Sequence, residues 1–490
     1  MSSSATRENH SDKPMNTGKR IVKNSLVLYL SHLFSKLINL ALVIILTRML
    51  GTDGFGIYNF AFAFVILFMV LGNMGLNSLL TRDIARSKAE INRYLGSSIP
   101  LIIYLSVFII LLINGITQIT HWTAVQKMAI GIFSFYLVFD SLSRHFIAVF
   151  RAFEKMEYEA ITNLSERTIM LAVTVVMWTT HQGLIPLLMS YVIIQMLKAL
   201  IAFLFMRRFF QKIEWHWAHP QTFTLLKAAY PFALMAIFGT ISGRIDTIML
   251  KIFHTDQMVG LYNAAHKLIE SLQFIPENFV MALFPAFSVL YFSEKQKFNS
   301  TFSRAFQFIT ILAFPIATGL YLLAPQIIHL LFEPEFSRAA VALRWLGIAL
   351  GIIFFKFLFS TSLNAIGKQH LVAAITGISM LVNVVLNYIL IPKYDLLGAS
   401  LATIASEFSA VMLVMFTALK MAETRLPVGI ISKAIAASAG MALFLIFFHG
   451  WNVIVLALAG SIVYFILIFL LRGITFVEIQ SFIRQYRKNW

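Results

Sequence analysis

The segment "LGTDGFGIYN" (residues 50–59) returns later in the chain as "HTDQMVGLYN" (254–263). Asp53, Gly56, Tyr58 and Asn59 match Asp256, Gly260, Tyr262 and Asn263, with one residue inserted in the second copy. Each copy lies between two long apolar stretches and reads as a short turn between helices. Gly54 and Gly56 would supply the backbone freedom that a tight reversal needs. A second echo, "FRAFEKMEYEAIT" (150–162) against "LNAIGKQHLVAAIT" (363–376), keeps a similar offset. Two echoes in register mark an internal duplication.

Hydrophobic residues make up 59% of the 490 and charged residues 12%, against roughly 45–50% and about 25% in soluble domains. That leaves too little charge to cover a soluble surface, so the chain reads as an integral membrane protein. A bilayer core of about 30 Å takes roughly 20 helical residues to cross. Apolar runs of that length predict an all-α protein with fourteen transmembrane helices, among them spans 24–48, 55–80, 227–250 and 259–282. Period-two alternation, the mark of a membrane β-barrel, is lacking. Six predicted spans separate the members of each echo, so spans one to six and seven to twelve read as parallel repeats. The expected organisation is a tail (1–20), a first half (21–206), a linker (207–226), a second half (227–420), two further helices (429–471) and a C-terminal tail (472–490).

Most of the 39 Lys and Arg fall in loops on one side of this topology, including Arg82, Arg86, Lys88, Arg93, Arg207, Arg208 and Lys212. The opposite loops hold Arg48, Lys127, Lys251, Arg338, Arg344 and Lys393. The positive-inside rule then places both termini in the cytoplasm and the protein in the cell membrane. Topology also accounts for much of the +17 net charge, in preference to nucleic-acid binding. The first twenty residues lack the apolar core of a signal peptide, so the N-terminus is expected to be retained. With no cysteine, disulfides, thiolate catalysis and thiolate metal sites are excluded.

Seven basic residues fall within predicted spans: Lys36, Arg144, Arg167, Lys198, Arg244, Lys267 and Lys356. A charge at bilayer depth is costly and normally faces a bundle interior or a wet cavity. Arg144, Arg167 and Lys198 lie near helix ends, where they are expected to snorkel. Lys36, Lys267 and Lys356 are deeper, and Arg244 is intermediate. Polar neighbours gather at helical spacings of three and four. His32, Lys36 and Asn39 share one face; Asn263, His266, Lys267, Glu270, Gln273 and Glu277 form another stripe; Thr240, Arg244 and Thr247 a third. These stripes read either as the wall of a cationic cavity or as interhelical hydrogen-bond contacts. The latter explanation suits Asn73, Asn77, Asn383 and Asn387. Glu270 can pair with Lys267 or His266 on its own helix, whereas Asp246 is turned away from Arg244 and needs a partner elsewhere. Pro231, Pro276, Pro285 and Pro315 are candidate bending points.

The stretch "TRMLGTDGFGIYNFAFAF" (47–64), with "LNAIGKQ" (363–369), "YDLLGASLAT" (394–403) and the six-plus-six-plus-two plan, resembles one known family. This is the polysaccharide-transporter branch of the multidrug/oligosaccharidyl-lipid/polysaccharide (MOP) superfamily, which includes the Wzx-like O-antigen flippases. The resemblance implies two six-helix lobes forming a V around a central cavity, plus two C-terminal helices. It also implies a cargo, a polyprenyl-pyrophosphate-linked oligosaccharide carried from the cytoplasmic to the outer leaflet by alternating access for O-antigen, capsule or exopolysaccharide biosynthesis. On that reading Lys36, Arg244, Lys267 and Lys356 neutralise pyrophosphate or acidic sugars. His32, Asn39, Asn263 and His266 face the sugar, and Asp246 and Glu270 are candidates for proton or sodium coupling. No other cofactor, no metal and no catalytic residue is expected. The expected partners are the lipid-linked glycan, membrane lipids and polysaccharide polymerase or assembly proteins, with no nucleic acid. A lipid II flippase and an ion-coupled multidrug exporter of the same superfamily remain alternatives. A membrane glycan polymerase or ligase is the other class. Against it, the longest external segment, 324–339, offers only His329, Glu333 and Glu335, and the chain has no phosphate-binding Gly-rich loop, HExxH or GxSxG.

Overall fold

A computed structural model describes residues 17–73, 75–88, 91–209, 222–424 and 426–473. Most of both expected tails and residues 210–221 of the expected linker, Lys212 among them, lie outside the described residues, as do the side chains of Arg93 and Pro231. The chain folds into helices α1 (Thr17–Asn73), α2 (Leu76–Arg86), α3 (Ile91–Ile119), α4 (Ala124–Ala152), α5 (Met156–Thr179), α6 (Leu184–Phe209) and α7 (Thr222–Phe253). There follow α8 (Asp256–Leu272), α9 (Phe274–Ser293), α10 (Lys295–Leu331), α11 (Ala339–Ala365), α12 (Gln369–Ala422), α13 (Gly429–Phe447) and α14 (Val453–Leu470). Among the described residues there is no strand. Among the described residues, eleven helices are long and apolar enough to cross a membrane, with α1 and α2 counted together and α8 and α9 likewise. Phe108, Leu111, Phe416 and Leu443, large apolar side chains on the outside of the bundle, are each at least 60% exposed, as a lipid-facing surface requires.

Two of these helices fold back on themselves. Run straight, the 57 residues of α1 would reach about 85 Å, nearly three bilayer cores. Instead the backbone breaks at Gly51 (φ 65°, ψ −175°), a conformation open essentially to glycine alone. Lys36 and Asn73, on either side of the break, consequently face one cavity. The reversal therefore falls at Gly51 rather than at Gly54 or Gly56, both of which lie inside the helix. In α12 the break is Asp395 (φ 45°). Across it Ser379 Oγ donates to the Ser406 carbonyl at 2.9 Å and Asn383 Nδ2 to Ser406 Oγ at 3.3 Å, contacts that a straight helix would not allow.

Proline sets a further break. Pro276 lacks an N–H and its ring would collide with the carbonyl of Leu272, and α8 ends at that residue. Pro285 and Pro315 stay inside continuous helices. The external segment expected at 324–339 is shorter still, since α10 continues through Pro325 to Leu331. Only a short connection with one 3₁₀ turn (Pro334–Phe336) remains.

Within the first half α1 packs on α3, α4 and α5, and α4 on α2 and α6; within the second, α11 packs on α8, α9, α10 and α12, and α12 on α7. Contact between the halves runs through α1 against α7 and α8 and through α2 against α7. Helices α13 and α14 lie against α10, outside this arrangement.

Candidate functional site

One end of the space between the halves is closed by the duplicated segment. A Cβ built on Gly56 would fall 1.8 Å from the carbonyl oxygen of Asp256, and one built on Gly260 would fall 2.1 Å from that of Thr52. Each copy thus lays its glycine on the backbone of the other, an approach that no side chain permits. The closing asparagines match as well. Asn59 Nδ2 donates to the Phe55 carbonyl at 2.8 Å and Asn263 Nδ2 to the Val259 carbonyl at 2.9 Å. Asp256 accepts from Gln126 Nε2 at 2.6 Å and pairs with Lys251 at 2.9 Å. The same Gln126 caps α4, its Oε1 accepting from the Thr123 N–H at 2.9 Å. Phe55 meets Phe336 edge-on at 6.3 Å between ring centroids, and Arg48 lies 3.5 Å from Glu333.

From this seal a cavity of about 620 Å³ extends toward Arg151 and Glu159, within the usual range for ligand sites. Its wall carries seven basic side chains, Lys36, Arg144, Arg151, Arg167, Lys198, Arg244 and Lys267, and four acidic ones, Asp140, Glu159, Glu166 and Glu270. Every one of these carboxylates is paired: Asp140 with Arg144 at 2.5 Å, Glu159 with Arg151 at 2.5 Å, Glu166 with Lys198 at 2.7 Å and Glu270 with Lys267 at 2.8 Å. Glu270 also holds Arg244 at 3.1 Å, while Lys36 Nζ donates to the Glu270 carbonyl at 3.3 Å. Three helices, α1, α7 and α8, thereby bring three cations onto one carboxylate residue. The guanidinium of Arg244 lies over the Phe62 ring at 5.7 Å. A wall with three more cations than anions attracts anionic ligands.

Of the residues singled out from sequence, His32, Lys36, Asn39, Arg244, Lys267 and Glu270 line the cavity. Three others expected there do not. Lys356 turns to α12 and pairs with Glu407 at 2.5 Å; its depth in the helix was visible in sequence, but its partner on another helix was not. Asn263 is buried and donates to Thr247 Oγ1 at 3.1 Å, so its amide serves the packing of α7 on α8. His266 stacks on Tyr262 with centroids 5.7 Å apart and lies 3.7 Å from Glu270, behind the wall. Asp246 is 5% exposed and, among the described residues, has no cationic partner. It accepts from Tyr262 Oη at 2.7 Å, Asn387 Nδ2 at 2.5 Å and Thr403 Oγ1 at 2.9 Å. Buried beside it, Asn387 Oδ1 has no hydrogen-bond partner among the described residues.

Arg144, Arg167 and Lys198, expected to snorkel, face the cavity instead. Asn163 and Glu166 are not among the residues singled out from sequence, although they share a face with Arg167. The signal was available: Glu159, Asn163, Glu166, Arg167 and Met170 recur at spacings of three and four along α5, and all five line the cavity.

A helical membrane protein with a repeated segment at the seal and a charged cavity, formed mainly by the first half and completed by Arg244, Lys267 and Glu270 of the second, is the class that fold and site define. The chain belongs to the polysaccharide biosynthesis protein family, whose model matches residues 21–291. A second model, MatE, matches residues 231–389. Among curated relatives, a putative O-antigen transporter of Shigella dysenteriae is 24% identical over 80% of this chain and 98% of its own. Capsular polysaccharide biosynthesis protein CapF of Staphylococcus aureus is 20% identical over 80% and 98%. The probable flippase AglR of Haloferax volcanii is 27% identical over 41% of this chain; the match spans 43% of AglR, and that with the uncharacterized membrane protein MJ1068 of Methanocaldococcus jannaschii spans 56% of the latter. Among solved structures, lipid II flippase MurJ in an inward closed conformation shares the fold with a TM-score of 0.76 at 16% identity, over 91% of this chain and 98% of that one. An inward-facing MATE family multidrug transporter does so with a TM-score of 0.65 at 14% identity, over 79% and 94%.

Proposed function

We propose that the protein is a flippase that carries a polyprenyl-pyrophosphate-linked oligosaccharide from the cytoplasmic to the outer leaflet of the cell membrane, without enzymatic chemistry. The observation that carries this reading is the cavity wall with its three surplus cations. A pyrophosphate and its sugar hydroxyls are prohibitively costly to desolvate in hydrocarbon. Lys36, Arg244 and Lys267 would take the phosphates at the centre of the cavity, with His32 and Asn39 donating to sugar, while the polyprenyl tail stays in lipid.

The accompanying architecture is fourteen crossings with both termini cytoplasmic, arranged as two six-helix lobes and two added helices. In it, the duplicated segment is the outer gate of an alternating-access cycle. Asp246 is the candidate for coupling: a buried carboxylate ringed by neutral oxygens and amides, beside an unsatisfied amide oxygen, suits a proton or a hard cation such as sodium. Glu270, held by Lys267 and Arg244, is the second candidate, because a proton there would release both cations to the cargo.

The test is to reverse charge at Lys36 and Lys267 (Lys→Glu) in cells, confirm membrane insertion, and measure surface glycan and lipid-linked intermediates. The expected result is lost surface glycan with a lipid-linked oligosaccharide accumulating on the cytoplasmic leaflet. Unchanged glycan overturns the assignment. Accumulated lipid II, or drug sensitivity with normal glycan, would point instead to the other transporters of the superfamily.

A further inference from the structure

The charges on the cavity wall fall into groups, and one cation is left over. Lys36, Arg244 and Lys267 converge on Glu270, so this central group carries two positive charges beyond its carboxylate. A pyrophosphate diester bears one negative charge on each phosphate, and this group matches it. Arg144, Arg151 and Lys198 are each neutralised by a carboxylate of their own, at 2.5 to 2.7 Å.

Arg167 is different. Its neighbour Glu166 is turned toward Lys198 on α6, and among the described residues no carboxylate lies within the 4.0 Å of an ion pair with Arg167. Asn163, one helical turn earlier on the same face, has no hydrogen-bond partner among the described residues, and both side chains line the cavity. A guanidinium offers a planar fork of donors that fits a carboxylate in bidentate fashion, and the amide adds a further donor.

Resting on the flippase reading above, we propose that Arg167 and Asn163 form a second anion subsite that holds the carboxylate of an acidic sugar near the pyrophosphate. The cargo is then an acidic glycan, its third negative charge matching the third surplus cation. A phosphate substituent on the sugar shares the anionic chemistry but spreads its charge over more oxygens, so the experiment includes it as a separate arm.

Purified protein is reconstituted in liposomes with three polyprenyl-pyrophosphate disaccharides, identical except that one sugar is neutral, a uronic acid or a phosphorylated hexose. The flipping rate of each is measured for the wild type and for Arg167→Gln, Arg167→Lys and Asn163→Ala, all checked for monodispersity. The wild type should move the uronic acid cargo about tenfold or more faster than the neutral one, as for a lost charge-assisted pair. In Arg167→Gln that ratio should fall toward one, with partial recovery in Arg167→Lys and a smaller drop in Asn163→Ala. A wild type that does not discriminate, or an Arg167→Gln variant that slows both cargoes in proportion, overturns the subsite. Preference for the phosphorylated hexose over the uronic acid overturns the carboxylate assignment. If the folded wild type moves none of the three, the flippase reading itself fails.

Discussion

Replacing Gly56 by alanine puts a methyl group where the structure leaves no room. The new carbon would lie 1.8 Å from the Asp256 carbonyl oxygen, whereas a relaxed contact of this kind is about 3.3–3.6 Å. The obstructing atom is backbone, so the two copies of the duplicated segment must part by roughly 1.5 Å at this point. Overpacking of this order typically costs about 1–3 kcal/mol. The cost falls only on the state in which the copies touch. It therefore shifts the balance between closed and open gate by about 5- to 150-fold.

The absence of cysteine from the sequence gives a clean reporter. Thr52 is 4% exposed at the contact, so a Thr52→Cys protein should react slowly with a membrane-impermeant maleimide applied from outside. Adding Gly56→Ala or Gly260→Ala should speed that reaction several-fold, and the two together should add less than their sum because they relieve one contact. Gly54→Ala is the control: a Cβ there would meet only Leu50 on the same helix, at 3.1 Å, and should leave the rate unchanged. Equal labelling in the Gly54→Ala and Gly56→Ala backgrounds would refute the reasoning.

Gln126→Ala removes the N3 half of the α4 capping box and the bridge to Asp256, so it should lower the thermal midpoint and raise Thr52→Cys labelling. Lys356→Met should reduce the yield of folded protein by stranding Glu407, and the double variant Lys356→Met/Glu407→Gln should restore it together with transport; transport lost in the restored double variant would return Lys356 to the cargo site. Asp246→Asn should abolish the response of flipping to sodium and pH gradients in liposomes. A wild-type response would remove Asp246 from coupling.

What was legible in the sequence follows from the range of each signal. Membrane insertion and helical build are written in composition and run length, which need no tertiary information. The stripe from Lys267 to Glu270 was legible because helical spacing alone places those residues together. Lys356 was misplaced because a deep lysine looks the same whether it faces a cavity or a glutamate that the fold brings from another helix. Arg144, Arg167 and Lys198 lie near helix ends. At such depths a side chain can reach water at the membrane surface or water in a cavity, and only packing decides between them. Gly51, Gly54 and Gly56 lie within six residues of one another, and only the backbone angles distinguish a turn glycine from a contact glycine.

The same distinction explains why the segment occurs twice. A turn would need one glycine in one copy, and Gly51 has no counterpart of that kind in the second. The glycines that do recur, Gly56 and Gly260, are the two that touch across the halves, so duplication has preserved the contact and not the turn. Past the matched asparagines the copies diverge. The first continues through Phe60, Phe62 and Phe64, whereas the second continues through His266, Lys267 and Glu270. A symmetric seal at one end can part evenly when the halves move. Of the diverging residues, Phe62 lines the cavity from the first copy and Lys267 and Glu270 line it from the second, and Arg244 lies over Phe62. A seal built on repetition and a charged wall built on divergence require opposite sequence constraints, and the boundary between them falls within one helical turn of Asn59 and Asn263.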